Sequence, residues 1–574
     1  MHKREKREYR VFYPSCKNCK NCGISTESII TQFLRSFFIL TLFINTLSVF
    51  FLLTSASSSY AFRSPDIQKI INGFIYENYG NYNKSLETSK NILKKSNSAV
   101  GYYYLAKLYL KNKNFKKAKY YIDKTIKISH KENKIHYYIL KTKIYLNENK
   151  IKKSLNILNF ILKKEPYNRH ALLLIAGIYK FQKKYASASY YLNLLKLYYP
   201  DNIDSYYELS KIYIEENKPA KAIKNLKKVV VLNPYFKESY FQLAAIYTVI
   251  GKEKQALNIL KRYLKYNPHS NFALYQLGLI NYAVKNYKLS RKYFFRLLRS
   301  ISIGKINLRN NSYFFIGVSY YFQNNYPESI KYLSMVKYGQ HYADSRFQEI
   351  EIYLALNNKA QNHKYNTNIN YIINELINNK KLEKNLKVYY FSAISLMEIK
   401  QYIEAMNVLN KGLKYFPKNT ALLYQLGSDY HFLHNNKKSI KTMNMVLEIN
   451  PMSADALNFK GYYLTAHKKN IIKAKKLIKK ALSIKPDSPY IMDSMGFVYL
   501  RLKEYKKALP YFKRALKKLK NSSAVLRHTG MDYLMLKNYG KAKKYLKLSE
   551  KIKKSNETLK YLKKLKNLIK IKND

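Results

Sequence analysis

The 574-residue chain has no tryptophan and only three cysteines. Those three, Cys16, Cys19 and Cys22, all lie ahead of the first apolar stretch. A disulfide framework over the rest of the chain is therefore excluded. No cysteine follows the apolar stretch to accept a lipid. The cysteines would offer three thiolates to a metal, but no fourth cysteine exists and no histidine follows closely. Tetrahedral zinc wants four ligands, so no metal is expected. There is no glycine loop of the phosphate-cradling kind, no HExxH and no Gly-x-Ser-x-Gly elbow. No catalytic residue and no cofactor are expected. Acids are also scarce, with 35 Asp and Glu against 105 Lys and Arg, a formal charge of +70.

Apolar residues make up 47% of the chain, which is ordinary for folded protein, but 574 residues are too many for one compact core. The chain must form several domains or an extended array. The wealth of Lys, Asn, Ile and Tyr is what AT-rich codons produce. Whatever its origin, the charge attracts phosphates, anionic lipids and acidic glycans or proteins, in a salt-sensitive way. It is spread over the whole length, which argues against a dedicated nucleic-acid module.

Residues 1–36 form a basic tail, with Lys3, Arg4, Lys6 and Arg7 among its cations. An apolar run extends from Phe37 to Leu53, and a Ser- and Ala-rich stretch ends at Ala61. Basic region, apolar run and small-residue end are the parts of a secretory signal, with Ser59 and Ala61 at the cleavage site. The run is near the lower limit for a spanning helix, so an uncleaved anchor over 37–53 stays open. Either way residues 37–61 are expected to export the rest of the chain, leaving the basic tail cytoplasmic.

From there on the chain is periodic. Pro166, Pro200, Pro234 and Pro268 are 34 residues apart, and Pro417 and Pro451 repeat the interval. Ten residues after these prolines stand Ala176, Ser210, Ala244, Gly278, Gly427 and Gly461. Tyrosine recurs three residues later at Tyr179, Tyr213, Tyr247 and Tyr430. A second small residue comes after it at Ala188, Ala222, Ala256, Ser290 and Ser439. One small residue per helix lets two antiparallel helices approach closely. The proline turns the chain into the next unit. No unit buries its apolar stripe alone, so neighbours must stack.

The stretch from Pro486 to Leu516, PDSPYIMDSMGFVYLRLKEYKKALPYFKRAL, resembles the tetratricopeptide repeat, as found in exported proteins of Gram-negative bacteria. The tryptophan usual in the first helix is replaced by Tyr206, Tyr240, Leu274, Leu457 and Met492. Extending the register gives 13 units over about 67–550, the first at Gly73 and the last at Gly530. The expected fold is all-α, a right-handed α-solenoid superhelix of helix-turn-helix repeats. Its blocks are expected at 62–336 and 386–550. The Asn-rich stretch 357–370 is expected to be a loop or break, within a degenerate repeat or irregular hinge at 337–385. A capping helix at 551–574 would carry Leu559, Leu562, Leu565 and Leu568.

The resemblance implies that first helices line a concave groove, with the residue three before the first small position facing it. In successive units this residue is Tyr103, Ile139, Leu173, Tyr207, Phe241, Tyr275, Phe314, Tyr390, Tyr424, Asn458, Asp493 and Arg527. Seven of the 12 are aromatic: Tyr103, Tyr207, Phe241, Tyr275, Phe314, Tyr390 and Tyr424. Such a ladder suits an extended peptide, or sugar rings by stacking. His431 with His434, and His130 with His136, are too few to hold a metal, and Asp487 reads as a helix N-cap. The expected function is a non-enzymatic protein-binding scaffold of the bacterial envelope, in the periplasm or anchored to the inner membrane. The alternative is a binder of anionic polysaccharide or lipid surfaces. Other proteins are the expected partners, and nucleic acid is not.

Overall fold

The computed structural model describes Tyr76 and residues 81–95, 99–129, 134–302 and 304–573. The tail, the signal or anchor, the three cysteines, Gly73 and His130 lie outside the described residues. Among those described, no helix is long and apolar enough to cross a membrane. The described residues form 28 α-helices and no strand. Two compact units divide between Asn233 and Pro234.

The first unit holds α1 (Tyr82–Lys95), α2 (Ala99–Lys111), α3 (Phe115–Ile128), α4 (Ile135–Asn147) and α5 (Ile151–Lys164). It continues with α6 (Arg169–Phe181), α7 (Tyr185–Tyr198), α8 (Ile203–Glu215) and α9 (Pro219–Leu232). The second unit begins with the pairs α10 (Lys237–Val249) and α11 (Glu253–Tyr266), then α12 (Asn271–Ala283) and α13 (Tyr287–Ser300). A less regular stretch comprises α14 (Ile306–Tyr321), α15 (Tyr326–Ser334), α16 (Tyr342–Ala360) and α17 (Asn366–Asn378). Regular pairs resume with α18 (Leu386–Glu398) and α19 (Tyr402–Tyr415), α20 (Thr420–Phe432) and α21 (Asn436–Ile449). They continue as α22 (Ala454–Ala466) and α23 (Ile471–Ile484), α24 (Pro489–Arg501) and α25 (Tyr505–Lys518), α26 (Ser523–Met535) and α27 (Tyr539–Ile552). The closing helix is α28 (Asn556–Asn573).

In every regular pair the first helix has 13 residues and the second 14. The small residues do what the pattern predicts. Ser290 Oγ donates to the Gly278 carbonyl at 2.9 Å, and Ser439 Oγ to that of Gly427 at 2.7 Å. A Cβ added at Gly496 would stand 2.6 Å from the Phe512 ring, so the second helix fills the space that glycine leaves. Of the residues replacing tryptophan, Tyr240, Leu274, Leu457 and Met492 are buried, while Tyr206 is half-buried.

Each helix end has a local cause. Asn168, Asn202 and Asn419 accept backbone N–H groups of the first turn, so part of the asparagine wealth is capping. Seven residues after the first small position, the turn between the helices needs a left-handed residue. Lys183, Asn217, Lys285, Lys503 and Lys537 serve there with φ of 56–62°, and among the described residues glycine serves only at Gly251. His434, at φ 58°, is another of these turn residues, which accounts for its position near His431. Asp487 lies in a turn instead of capping α24, whose N-cap is Ser488.

One expectation changes. The stretch 357–370 is not a loop throughout, because α16 runs to Ala360 and α17 starts at Asn366, which confines the break to 361–365. The region 337–385 lies inside the second unit, and its Ile350, Ile369, Ile372 and Leu376 share one core with Val388, Leu409 and Leu422 of the repeats that follow. At the C-terminus Leu565 is buried and Leu562 and Leu568 pack beside it, as a cap requires, while Leu559 is exposed.

Candidate partner-binding face on the first helices

Each ladder residue sits one helical turn before the small residue of its first helix, a position that packing of the next repeat reaches. In the first unit, Tyr103 stands edge-on to Tyr137 at 5.2 Å and to His136 at 5.6 Å. Burial pushes its hydroxyl up to about 12. Ile139 is buried and Leu173 half-buried. Tyr207 is buried, with the Lys211 ammonium 4.7 Å from its ring centre.

In the second unit Phe241 packs against Phe272 at 3.9 Å between ring centres. The Tyr275 hydroxyl accepts a hydrogen bond from Asn311 Nδ2 at 3.4 Å. Phe314 stacks on His341 at 4.2 Å. Tyr424 is raised to about 12 by burial, with the Asp455 carboxylate adding to the shift. Tyr390 is raised by the same two causes and is the most open of the seven rings, at 39% exposure. Tyr103, Phe241, Tyr275 and Phe314 are thus packed against side chains of the following repeat, while Tyr390 stays open.

For four of the seven rings a neighbouring residue that keeps register was missed in the sequence. It lies six before the small residue of the following repeat. His136 covers Tyr103, Phe272 covers Phe241, Asn311 bonds Tyr275, and Asp455 neighbours Tyr424. The same spacing that picked out the ladder would have found this second row.

Charged side chains also converge on this face. In the first unit Glu208, on α8, bonds Lys180 of α6 at 2.5 Å and Lys211 at 2.7 Å. Burial alone would raise the Glu208 carboxyl, but the two ammonium groups outweigh it and hold it below the usual range. Nearby, burial lowers Lys143, and burial with the Lys143 and Arg169 charges lowers His170. In the second unit the ladder turns polar. Asp493 bonds His528 Nδ1 at 3.0 Å, both buried, and Arg527 Nε lies 3.2 Å from Glu557. The Arg501 guanidinium stacks 4.8 Å over Phe497.

Stacked antiparallel helix pairs with a row of half-buried rings and charged groups along the first helices define a helical-repeat scaffold. The tetratricopeptide repeat family model matches residues 203–236 and 491–517. The chain carries tetratricopeptide repeats. A TPR repeat-containing protein of Pseudomonas aeruginosa is 31% identical over 116 residues. That match spans 20% of this chain and 20% of that protein's length. Among solved structures, the APC/C hetero-tetramer Cut9-Hcn1 is similar at 13% identity, over 89% of this chain and 98% of that one, with a TM-score of 0.33. A tetratricopeptide repeat protein from Parabacteroides merdae is 14% identical over 52% of this chain and 98% of its own, with a TM-score of 0.33. PilW, titled a type IV pilus biogenesis factor, is 18% identical over 32% of this chain and 92% of its own, with a TM-score of 0.27.

Proposed function

We propose that the chain is a non-catalytic scaffold of a bacterial cell envelope, gripping an extended segment of a partner protein along its first helices. Tetratricopeptide-repeat proteins bind other proteins, and helical repeats fill nearly all of the described length. The carrying observation is the pair of rows on the first helices, seven aromatic rings with, at four of them, a side chain of the next repeat beside the ring. Ring edges and half-buried polar groups recognise a main chain and its anchors without a deep cavity. Export rests on the basic tail and the apolar run of 37–53, which would place the repeats in the periplasm, free or held at the inner membrane.

The test is capture from detergent-solubilised bacterial envelopes on the full-length chain, washed at low and then high salt. One or two proteins retained at high salt, and lost on Tyr390→Ala with Tyr424→Ala, support the groove. A melting curve checks that these changes leave the fold intact. Retention that ignores both changes sinks the groove reading. Location is tested separately by fusing a periplasm-dependent reporter after residue 61.

A further inference from the structure

The second helices face away from the ring rows, and in the first unit their outer surface has its own pattern. Counting from the second small residue of each pair (Ala118, Ser154, Ala188 and Ala222), positions two, six and nine later share one face of the helix. Among these 12 positions five are lysine, six are aromatic or aliphatic, and none is acidic. The apolar ones are not tucked away. Tyr120 is 54% exposed, Phe160 41%, Tyr190 60%, Leu197 67% and Val231 64%. Lysines lie beside them, Lys124 Nζ 5.1 Å from the Tyr120 ring centre and Lys164 Nζ 5.0 Å from that of Phe160. Around Tyr190, Leu197, Pro200 and Tyr206 the surface dips into an open cleft of about 530 Å³.

Singly exposed apolar residues need no explanation, but here they repeat in register with lysines over four successive helices. Rings and aliphatic chains that reach past lysine stems are what a phospholipid interface takes up. The apolar parts enter the headgroup boundary while ammonium groups meet phosphates. A nucleic acid would use the lysines and some rings, but would leave Leu197 and Val231 without a role. The sequence supplies a second pointer. Between the end of the apolar run at Leu53 and Tyr82 lie 28 residues, a tether of at most ~100 Å. If that run lies in a bilayer, the first unit is the part of the described chain held nearest to it.

We infer that the outer face of the second helices in the first unit, from Tyr120 to Val231, docks on an anionic phospholipid surface. The face is distinct from the partner groove, so the first unit would lie along a membrane with its first helices left open. The lysines supply long-range attraction and the five apolar residues supply shallow insertion. The attraction weakens with salt, whereas the insertion does not.

The absence of tryptophan gives a clean probe. Tyr190→Trp in the full-length chain makes one fluorophore on the proposed face. Phe181→Trp, at the exposed end of α6, makes one off it. Vesicles of phosphatidylcholine, with or without phosphatidylglycerol and carrying brominated acyl chains, are added to each. The expected result is a blue shift and quenching of the residue-190 probe that requires phosphatidylglycerol, with the residue-181 probe unmoved. Adding Lys124→Gln, Lys163→Gln and Lys228→Gln should weaken that response about tenfold or more. Equal responses from both probes would show that only the apolar run 37–53 engages the bilayer, and would overturn the proposal. So would a residue-190 probe that ignores vesicles and is quenched by an oligonucleotide. The lysine changes should leave partner capture intact, so failure of either reading is seen apart from the other.

Discussion

The regular repeats and the stretch between Ser334 and Leu386 solve one packing problem in two ways. In α24 and α25, Gly496 admits the Phe512 ring, and Ala508, Phe512 and Ala515 are all fully buried. The contact between the two helices is filled by volume. In the irregular stretch no pair of small residues brings two helices together. There α16 runs for 19 residues, and a guanidinium enters the core. Arg346 is 4% exposed, donates to the Leu333 carbonyl at 2.5 Å and meets Glu349 at 2.6 Å. Where the register lapses, charge takes the place of shape. Burial raises Glu349 to about 7 even with the guanidinium beside it, so this substitution is an expensive one.

The comparison breaks most visibly at Phe512. Phe512→Ala leaves a cavity and should cost about 4 kcal/mol. Each repeat leans only on its neighbours, so the loss should be local. Hydrogen exchange should rise in α24 to α27 and stay unchanged in α18 and α19. A uniform rise along the second unit would mean that the repeats do not behave as separable elements.

Arg346→Met removes one partner of the buried pair and should cost about 3 kcal/mol. The stranded Glu349 is already held near 7, so it escapes by taking up a proton. The deficit should therefore be smaller at acid than at alkaline pH. Adding Glu349→Leu should recover most of it. If the double variant is no better than the single one, the pair is not what holds α16 in place.

These two regions also mark what was legible beforehand. Small residues, tyrosines and prolines at fixed spacing prescribe the regular pairs because each position has one packing role. The stretch 357–370 reads as a polar loop because nothing in composition shows that Asn357 is buried. Its side-chain amide donates to Asn366 Oδ1 at 2.9 Å, and its oxygen accepts from the Tyr365 N–H at 3.0 Å. One such pair joins two helices without leaving a period. On the first helices, the ring row was legible and its degree of exposure was not. Burial of Tyr207 depends on side chains from other helices, which spacing within a helix does not report.

Buried charge occurs in the regular repeats too, and at Asp532 it lacks the partner that Glu208 and Asp493 have. Asp532 is fully buried with neither carboxylate oxygen hydrogen-bonded, and burial raises it to about 7. The unfolded value is about 4, so the folded form holds the proton more tightly. This group's contribution is most favourable below about pH 4, declines as pH rises towards about 7, and is flat beyond. Asp532→Asn should remove that slope and stabilise the C-terminal repeats at pH 8 by about 2 kcal/mol. Melting curves at pH 5 and pH 8 measure it. An unchanged slope would place the titration elsewhere.

The smallest expected effect concerns the turns, where the regular repeats tolerate a cost they do not need. Lys537 sits at φ 59°, where a side chain costs roughly 1 kcal/mol. Gly251 occupies the equivalent turn at φ 70°, with open space where a Cβ would stand. Lys537→Gly relieves the backbone but gives the unfolded chain more freedom, so the net gain should be only about 0.5 kcal/mol. Gly251→Lys should lose about as much. Opposite shifts of similar size would show that the turn is set by backbone geometry alone. A loss on Lys537→Gly would instead mean that the Lys537 side chain contributes more than its conformation costs.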